Sequence, residues 1–290
     1  MTVSTQPGVD IDRSFEVARR AALDENRFAF GKNWQRFLTV LTEEHIRQAE
    51  RSLQEMLGRT SFEGESFLDI GSGSGLSSLC LVRMGASRVH SFDYDPQSVA
   101  CTMEMRRRYA PGAHHWTIER GSALDPEYLL RLGRWDIVYS WGVLHHTGDM
   151  WAGLQHVVPL VRDGGTLYVS IYNDQGSWSQ RWRRIKKFYN RGPLTRAVMN
   201  AIFIPYFLGR GLAQDAVHLR NPLTRYREYK RDRGMSALYD IYDWLGGYPF
   251  EVARPEQIFD FYRDRGFELT RLTTRGSGWG CNEFVFRKRG

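Results

Sequence analysis

A chain of 290 residues, 42% hydrophobic and 25% charged, can bury a substantial core, and its size suits one large α/β domain with an insertion. Three widely spaced cysteines, Cys80, Cys101 and Cys281, argue against a disulfide framework or a zinc site, and no side-chain set calls for a metal. The net charge of +7 points to an anionic partner, while the lack of a long apolar run and of a signal-peptide core leads to an expected cytoplasmic location without a membrane span.

Residues 1–12 are polar and contain Pro7 and Gly8, which reads as a loose start, and 14–27 is weakly helical. Aromatics crowd the next stretch: Phe28, Phe30 and Trp34. Over 43–57, Ile46, Ala49, Leu53, Met56 and Leu57 recur at helical spacing, and Gly58 supplies a stop.

Residues 67–81 form the centre of the pattern. Phe67, Leu68 and Ile70 make the short apolar run of a doubly buried strand. Gly71, Ser72, Gly73 and Gly75 follow at once, and a helical pattern opens with Leu76, Leu79 and Val82. A strand, a tight glycine turn and a helix start place backbone N–H groups around a small ligand. The spacing is not that of a dinucleotide fingerprint, because the third glycine comes one residue early. Asp69 lies inside the strand, where a carboxylate suits a cationic ligand better than a pyrophosphate. The next strand ends in Asp93, at the place where a βαβ nucleotide site holds the ribose hydroxyls.

Further along, Asp95-Pro96 and Asp125-Pro126 are helix starts, aspartate as cap and proline at the first helical position. Residues 135–140 read as a fourth strand, followed directly by His145 and His146. Gly164-Gly165 turns into a fifth strand over 166–172. Residues 255–266 read as a helix, and 267–275 and 281–288 as two closing antiparallel strands. An insertion separates that ending from the fifth strand. Between positions 178 and 233 it holds 14 Lys or Arg against three acids, a local +11, so the remaining chain carries −4. Aromatic residues are interleaved throughout. An anionic substrate, a nucleic acid or an anionic membrane surface each fits such a segment. Residues 197–208 are apolar but short and interrupted by Pro205, which suits a pocket wall or an interfacial helix.

The Asp-x-Gly-x-Gly-x-Gly run followed by Asp93, together with the Ser-Trp-Gly-Val-Leu-His-His segment at 140–146, resembles the class I S-adenosylmethionine-dependent methyltransferases, in particular their small-molecule members. The resemblance covers roughly 60–172 and the piece from about 253 onward. It implies a Rossmann-like, doubly wound seven-stranded α/β sheet with helices on both faces, plus a largely helical insertion and an N-terminal helical segment. The implied organisation is an N-terminal segment over 1–58, a cofactor-binding core over 59–172, the insertion over 173–252 as a substrate lid, and 253–290 completing the core.

The resemblance also implies S-adenosyl-L-methionine as cofactor, held by Asp69, Gly71, Ser72, Gly73, Gly75 and Asp93. Tyr94, Ser122, Ala123, Leu124 and Ser140 complete the implied site. The family commonly has Gly-Asp-Ala where this chain has Gly-Ser-Ala, so either Ser122 or Asp125 is left as the polar partner of the adenine. N-terminal segments such as 28–34 often lie over the cofactor in this family; docking the N-terminal helix would equally explain the aromatics.

A hydroxyl acceptor needs a base. In related small-molecule enzymes the first residue of the Leu-His-His position faces the pocket, which points to His145, with His146 in a packing role and Asp243 next in line. Three functions fit the sequence. The leading one is methyl transfer to a small anionic metabolite at oxygen. The others are an RNA methyltransferase using the basic insertion and a non-catalytic nucleotide-binding protein.

Overall fold

The computed structural model describes residues 28, 30–218, 221, 237–276 and 278–290. Two helices lead into the sheet, α1 (Gly31–Val40) and α2 (Glu43–Leu57). Thr42 caps α2 with its side chain on the His45 N–H, and Gly58, at φ 70°, closes it with its own N–H on the Gln54 carbonyl. The core then alternates strand and helix: β1 (Ser66–Ile70), α3 (Leu76–Arg83), β2 (Arg88–Asp93), α4 (Pro96–Tyr109), β3 (Trp116–Arg120), α5 (Pro126–Leu132), β4 (Trp135–Trp141), α6 (Met150–Val157) and β5 (Val161–Tyr172). The two aspartate-proline starts do what their chemistry predicts. Asp95 accepts from the Gln97 N–H at 2.9 Å and Asp125 from the Tyr128 N–H at 3.0 Å.

After β5 come α7 (Ser177–Tyr189), α8 (Pro193–Val217) and α9 (Ala237–Gly246), then α10 (Pro255–Arg263), β6 (Phe267–Thr273) and β7 (Cys281–Lys288). The seven strands lie in the order β3-β2-β1-β4-β5-β7-β6. β1 to β5 pair in parallel, and β7 is antiparallel to both of its neighbours. β6 therefore runs in the same direction as β5, and β7 is the one reversed strand.

Alternation along the strands sends successive side chains to opposite faces. Leu68, Ile70, Val138 and Val169 enter a core with Leu154, Ile258 and Tyr262. Phe67, Ile137 and Tyr139 enter a second core with Phe37, Ile46, Leu79 and Met105. Helices thus cover both faces, as a parallel sheet requires. A third, smaller core of Trp182, Tyr189, Met199, Leu245 and Phe250 belongs to the insertion.

One expectation about the insertion needs correction. Pro205 does not interrupt the apolar segment, because α8 is one helix of 25 residues running through it. A proline removes one helical N–H and frees the carbonyl four residues back. Here Pro205 and Ala201 are both exposed, so water can serve that carbonyl. The weak helical pattern at 14–27 lies outside the described residues.

Phe286 sits on the reversed strand, fully enclosed, with the Tyr262 ring 4.9 Å away. Phe286→Ala is expected to cost about 3–5 kcal/mol of stability, measured by urea unfolding, through the cavity it opens between β5 and β6.

Candidate active site

The glycine turn after β1 is held by its backbone and packed closely by a few side chains. Gly71 and Ser72 both donate to the Phe92 carbonyl, at 2.8 and 3.0 Å, which ties the turn to the end of β2. Gly71, Gly73 and Gly75 have φ of 78, 56 and 80°, the left-handed region that favours glycine. A Cβ on Gly71 would lie 2.4 Å from a Val143 methyl, and one on Gly75 would lie 2.8 Å from the Thr102 methyl. Ser72 is buried, its hydroxyl 2.9 Å from that of Thr102.

Asp93 follows at the end of β2. Its carboxylate accepts from the Gly73 N–H at 3.0 Å and from the Asp95 N–H at 2.9 Å. Backbone bonds to both oxygens orient the group. A carboxylate has about four acceptor sites, so this orientation is compatible with receiving a pair of hydroxyls.

Asp69 is more deeply placed than the sequence suggested. It is 2% exposed and accepts from the Ser78 hydroxyl at 2.5 Å. Ser78 lies 2.6 Å from the Ser91 hydroxyl, and Ser91 accepts from the Trp116 indole at 2.7 Å. Burial pushes the Asp69 carboxyl up to about 7; the Ser78 bond opposes this and the Asp93 charge adds to it.

The remaining implied cofactor residues border the same end of the sheet. Tyr94 is half-buried, with the Arg120 guanidinium 5.5 Å from its ring centroid. Ser122 accepts from the Leu124 N–H at 3.1 Å, which leaves its O–H as a donor. Asp125 is committed to capping α5. Ala123 and Leu124 are buried, and the enclosed Ser140 donates to the Ile70 carbonyl at 3.3 Å.

An N-terminal strap lies across the turn. Phe28 donates its N–H to the Tyr248 carbonyl at 3.1 Å, and a Cβ on Gly246 would meet the Phe28 ring at 2.1 Å. The Phe30 ring is 4.9 Å from that of His146. Gly31 donates to Asp95 at 2.9 Å, and the Trp34 indole covers Gly73 at 2.9 Å from where a Cβ would stand. These aromatics therefore cover the turn as well as docking α1.

The burial of the histidine pair reverses what the sequence suggested. Both lie in a single 3-10 turn, Leu144–His146. His145 is wholly enclosed, its ring 4.1 Å from that of Tyr172, and neither nitrogen makes a hydrogen bond of good geometry. Burial holds its pKa well below the ordinary value. His146 and Lys186 add to that lowering, and the Ser170 backbone acts against it. His146 is half-buried, with Nδ1 2.6 Å from the Pro249 carbonyl. A carbonyl only accepts, so Nδ1 carries the proton and Nε2 is the basic nitrogen of the neutral ring. The side chain of Asp243 lies outside the described residues.

Trp34, Val143, Thr102 and Tyr172 are neighbours of the site that the sequence did not single out as site residues. Trp34 and Val143 stand within stretches already marked by aromatics or by the histidine segment. Thr102 and Tyr172 carry no local signal, since their roles come from contacts across the fold. Lys186 is a further one. It is fully buried, donates to the Trp244 carbonyl, and lies 4.2 and 4.8 Å from the Trp244 and Phe250 ring centroids.

Strand order, glycine turn and terminal acid define a doubly wound α/β domain built to hold a nucleoside at the carboxyl ends of its strands. Comparison with known proteins narrows this. Residues 68–167 match the family model of a methyltransferase domain, about a third of the chain. A ribosomal protein L11 methyltransferase of Methylococcus capsulatus is 40% identical over 58 residues, 20% of this chain and 20% of that protein. The chain thus spans about a fifth of the length of the curated relatives it matches.

Two solved structures share the fold. One is from the complex between the Haloferax volcanii Trm112 methyltransferase activator and a methyltransferase, with TM-score 0.53, 14% identity, and coverage of 91% of this chain and 99% of that one. The other is magnesium protoporphyrin IX methyltransferase of Synechocystis PCC 6803 with bound SAH, with TM-score 0.51, 15% identity, and coverage of 89% and 93%. Residues 68–167 thus match a methyltransferase domain, and the fold is shared with a methyltransferase solved with SAH bound.

Asp93→Ala is expected to weaken S-adenosylmethionine binding by about 1.5–3 kcal/mol in calorimetry, the worth of hydrogen bonds to a charged group. Asp69 makes a second prediction. Below about pH 4 its carboxyl is protonated in both folded and unfolded chains. Between there and about 7 the unfolded chain loses the proton first, so this contribution to stability falls as pH rises. Asp69→Asn keeps an acceptor for Ser78 and should flatten that slope in denaturant titrations across the window.

Proposed function

We propose that the protein is an S-adenosylmethionine-dependent methyltransferase acting on a small anionic metabolite at oxygen, with residues 173–252 forming the substrate lid. The observation that carries this reading is the closely packed glycine turn with its backbone-oriented Asp93, strapped by the aromatics of 28–34, beside a histidine whose basic nitrogen is fixed. When bound, the cofactor supplies an electrophilic sulfonium methyl. Asp93 and the Gly71–Gly75 turn orient it, and Phe30 and Trp34 exclude water from that mouth. Displacement at a methyl depends mainly on alignment, which an enclosed site supplies.

His146 is the general base of this reading. Its Nδ1–H is held by the Pro249 carbonyl, so Nε2 takes the proton of an acceptor hydroxyl. His145 supports the ring edge-on at a centroid distance of 4.5 Å. The buried cationic head of Lys186 beneath Trp244 and Phe250 supports an anionic acceptor.

Incubation of enzyme with a cell extract and labelled methyl donor, followed by mass spectrometry, tests the reading. Label in a small acidic metabolite is expected; label confined to RNA or protein, or none at all, overturns it. With the acceptor in hand, His146→Ala should lower turnover by about 10²–10⁴-fold and leave donor affinity nearly unchanged. His145→Ala should act mainly on stability.

A further inference from the structure

Helix α8 turns an apolar face to solvent. Leu194, Val198, Ile202 and Leu212 are 77, 48, 57 and 47% exposed. At 100° per residue they fall, with Pro205, inside an arc of about 80°. A surface helix ordinarily points such a stripe at the core. In α8 the core-facing side is separate, formed by Phe203 and Phe207 against Trp182. This helix is therefore apolar on two sides, one of them uncovered among the described residues.

The helix pair is rich in charge of one sign, most of it on α7, since Arg196 and Arg210 of α8 lie on the Phe203–Phe207 side. Residues 175–214 contain eight Lys or Arg and no Asp or Glu. Lys186 is buried, while the other seven are exposed and in no ion pair among the described residues. Trp178 and Phe188, on α7, are 54 and 42% exposed, each with an arginine beside its ring, Arg181 at 4.7 Å and Arg191 at 5.5 Å.

We propose that α7 and α8 dock the protein on an anionic phospholipid surface. Aliphatic and aromatic side chains enter the headgroup–acyl boundary, and the five exposed cations of α7 and the turn after it meet the lipid phosphates and carboxylates. An aliphatic row offers nothing to nucleotide bases or phosphates, which disfavours RNA as the occupant. Pairing with a second copy would bring two strongly positive faces together. No helix among the described residues is long and apolar enough to cross a membrane, so α8, about 37 Å long, lies along the surface. This inference stands independently of the methyl acceptor.

The test is co-sedimentation of the full chain with phosphatidylcholine vesicles, with and without phosphatidylserine, at physiological salt. Each basic group near such a surface is worth roughly fivefold in partition. Binding to the anionic vesicles should therefore exceed that to neutral ones by at least tenfold. Arg183→Glu with Lys187→Glu, and separately Ile202→Asp, should each lower it about tenfold or more while leaving S-adenosylmethionine binding and unfolding unchanged. Equal partition to both vesicle types, no partition, or unaffected variants would overturn the proposal. It would also be overturned by salt-sensitive RNA binding, or by a dimer dispersed by Ile202→Asp, appearing in place of vesicle binding.

Discussion

A carboxylate buried in the sheet sets the geometry on which the cofactor turn depends. Ser78 gives its one O–H to Asp69, so in the Ser78–Ser91 bond it is Ser91 that donates, and Ser91 in turn accepts from the Trp116 indole. The four residues come from β3, β2, α3 and β1, so one string of bonds ties the two elements that the turn joins, β1 and α3, to the neighbouring strands. Breaking any link strands a buried polar atom at a cost of about 1–3 kcal/mol. With α3 held against β1 and β2 in this way, the backbone between them has little room to move. The glycine turn is therefore shaped before any ligand arrives.

The strap across that turn follows from the same closeness. Gly73 lacks a side chain because the Trp34 indole occupies its space, and Gly246 because the Phe28 ring does. Two glycines far apart in sequence thus accept aromatics from one short N-terminal stretch. Gly31 on Asp95 fixes the middle of the strap to the start of α4. Turn, insertion and N-terminal segment consequently share a boundary, and a change in one is felt by the others.

Much of this was legible in the sequence because the signals are local. Phe67 to Ile70 read as a buried strand, Asp95-Pro96 and Asp125-Pro126 as capped helix starts, and the three glycines as a turn, each through chemistry confined to a few neighbours. The seven-stranded sheet follows from those elements in their order. What the sequence concealed depends on distant contacts. The 3-10 turn at 144–146 puts His145 against Tyr172 and His146 against Phe30 and Pro249, and no local period specifies which ring goes inward. Continuation of α8 through Pro205 depends on which side of the helix meets water. For the adenine the sequence offered Ser122 or Asp125, and Asp125 gives one oxygen to the helix that its Asp-Pro pair announces.

The root of the insertion has its own significance. Asn173 donates its backbone N–H to Gly280 and its side-chain amide to Gly276, while its side-chain oxygen accepts from Asn282. On the return path Ala253 donates to Tyr172, and Asp174 donates to Ala253. The chain leaves and re-enters the sheet at one pinned point, so the strand order is indifferent to what lies between. Such a junction separates two kinds of evolutionary change. The sheet can stay fixed while the segment hung from Asn173 is lengthened, recharged or exchanged without refolding the scaffold.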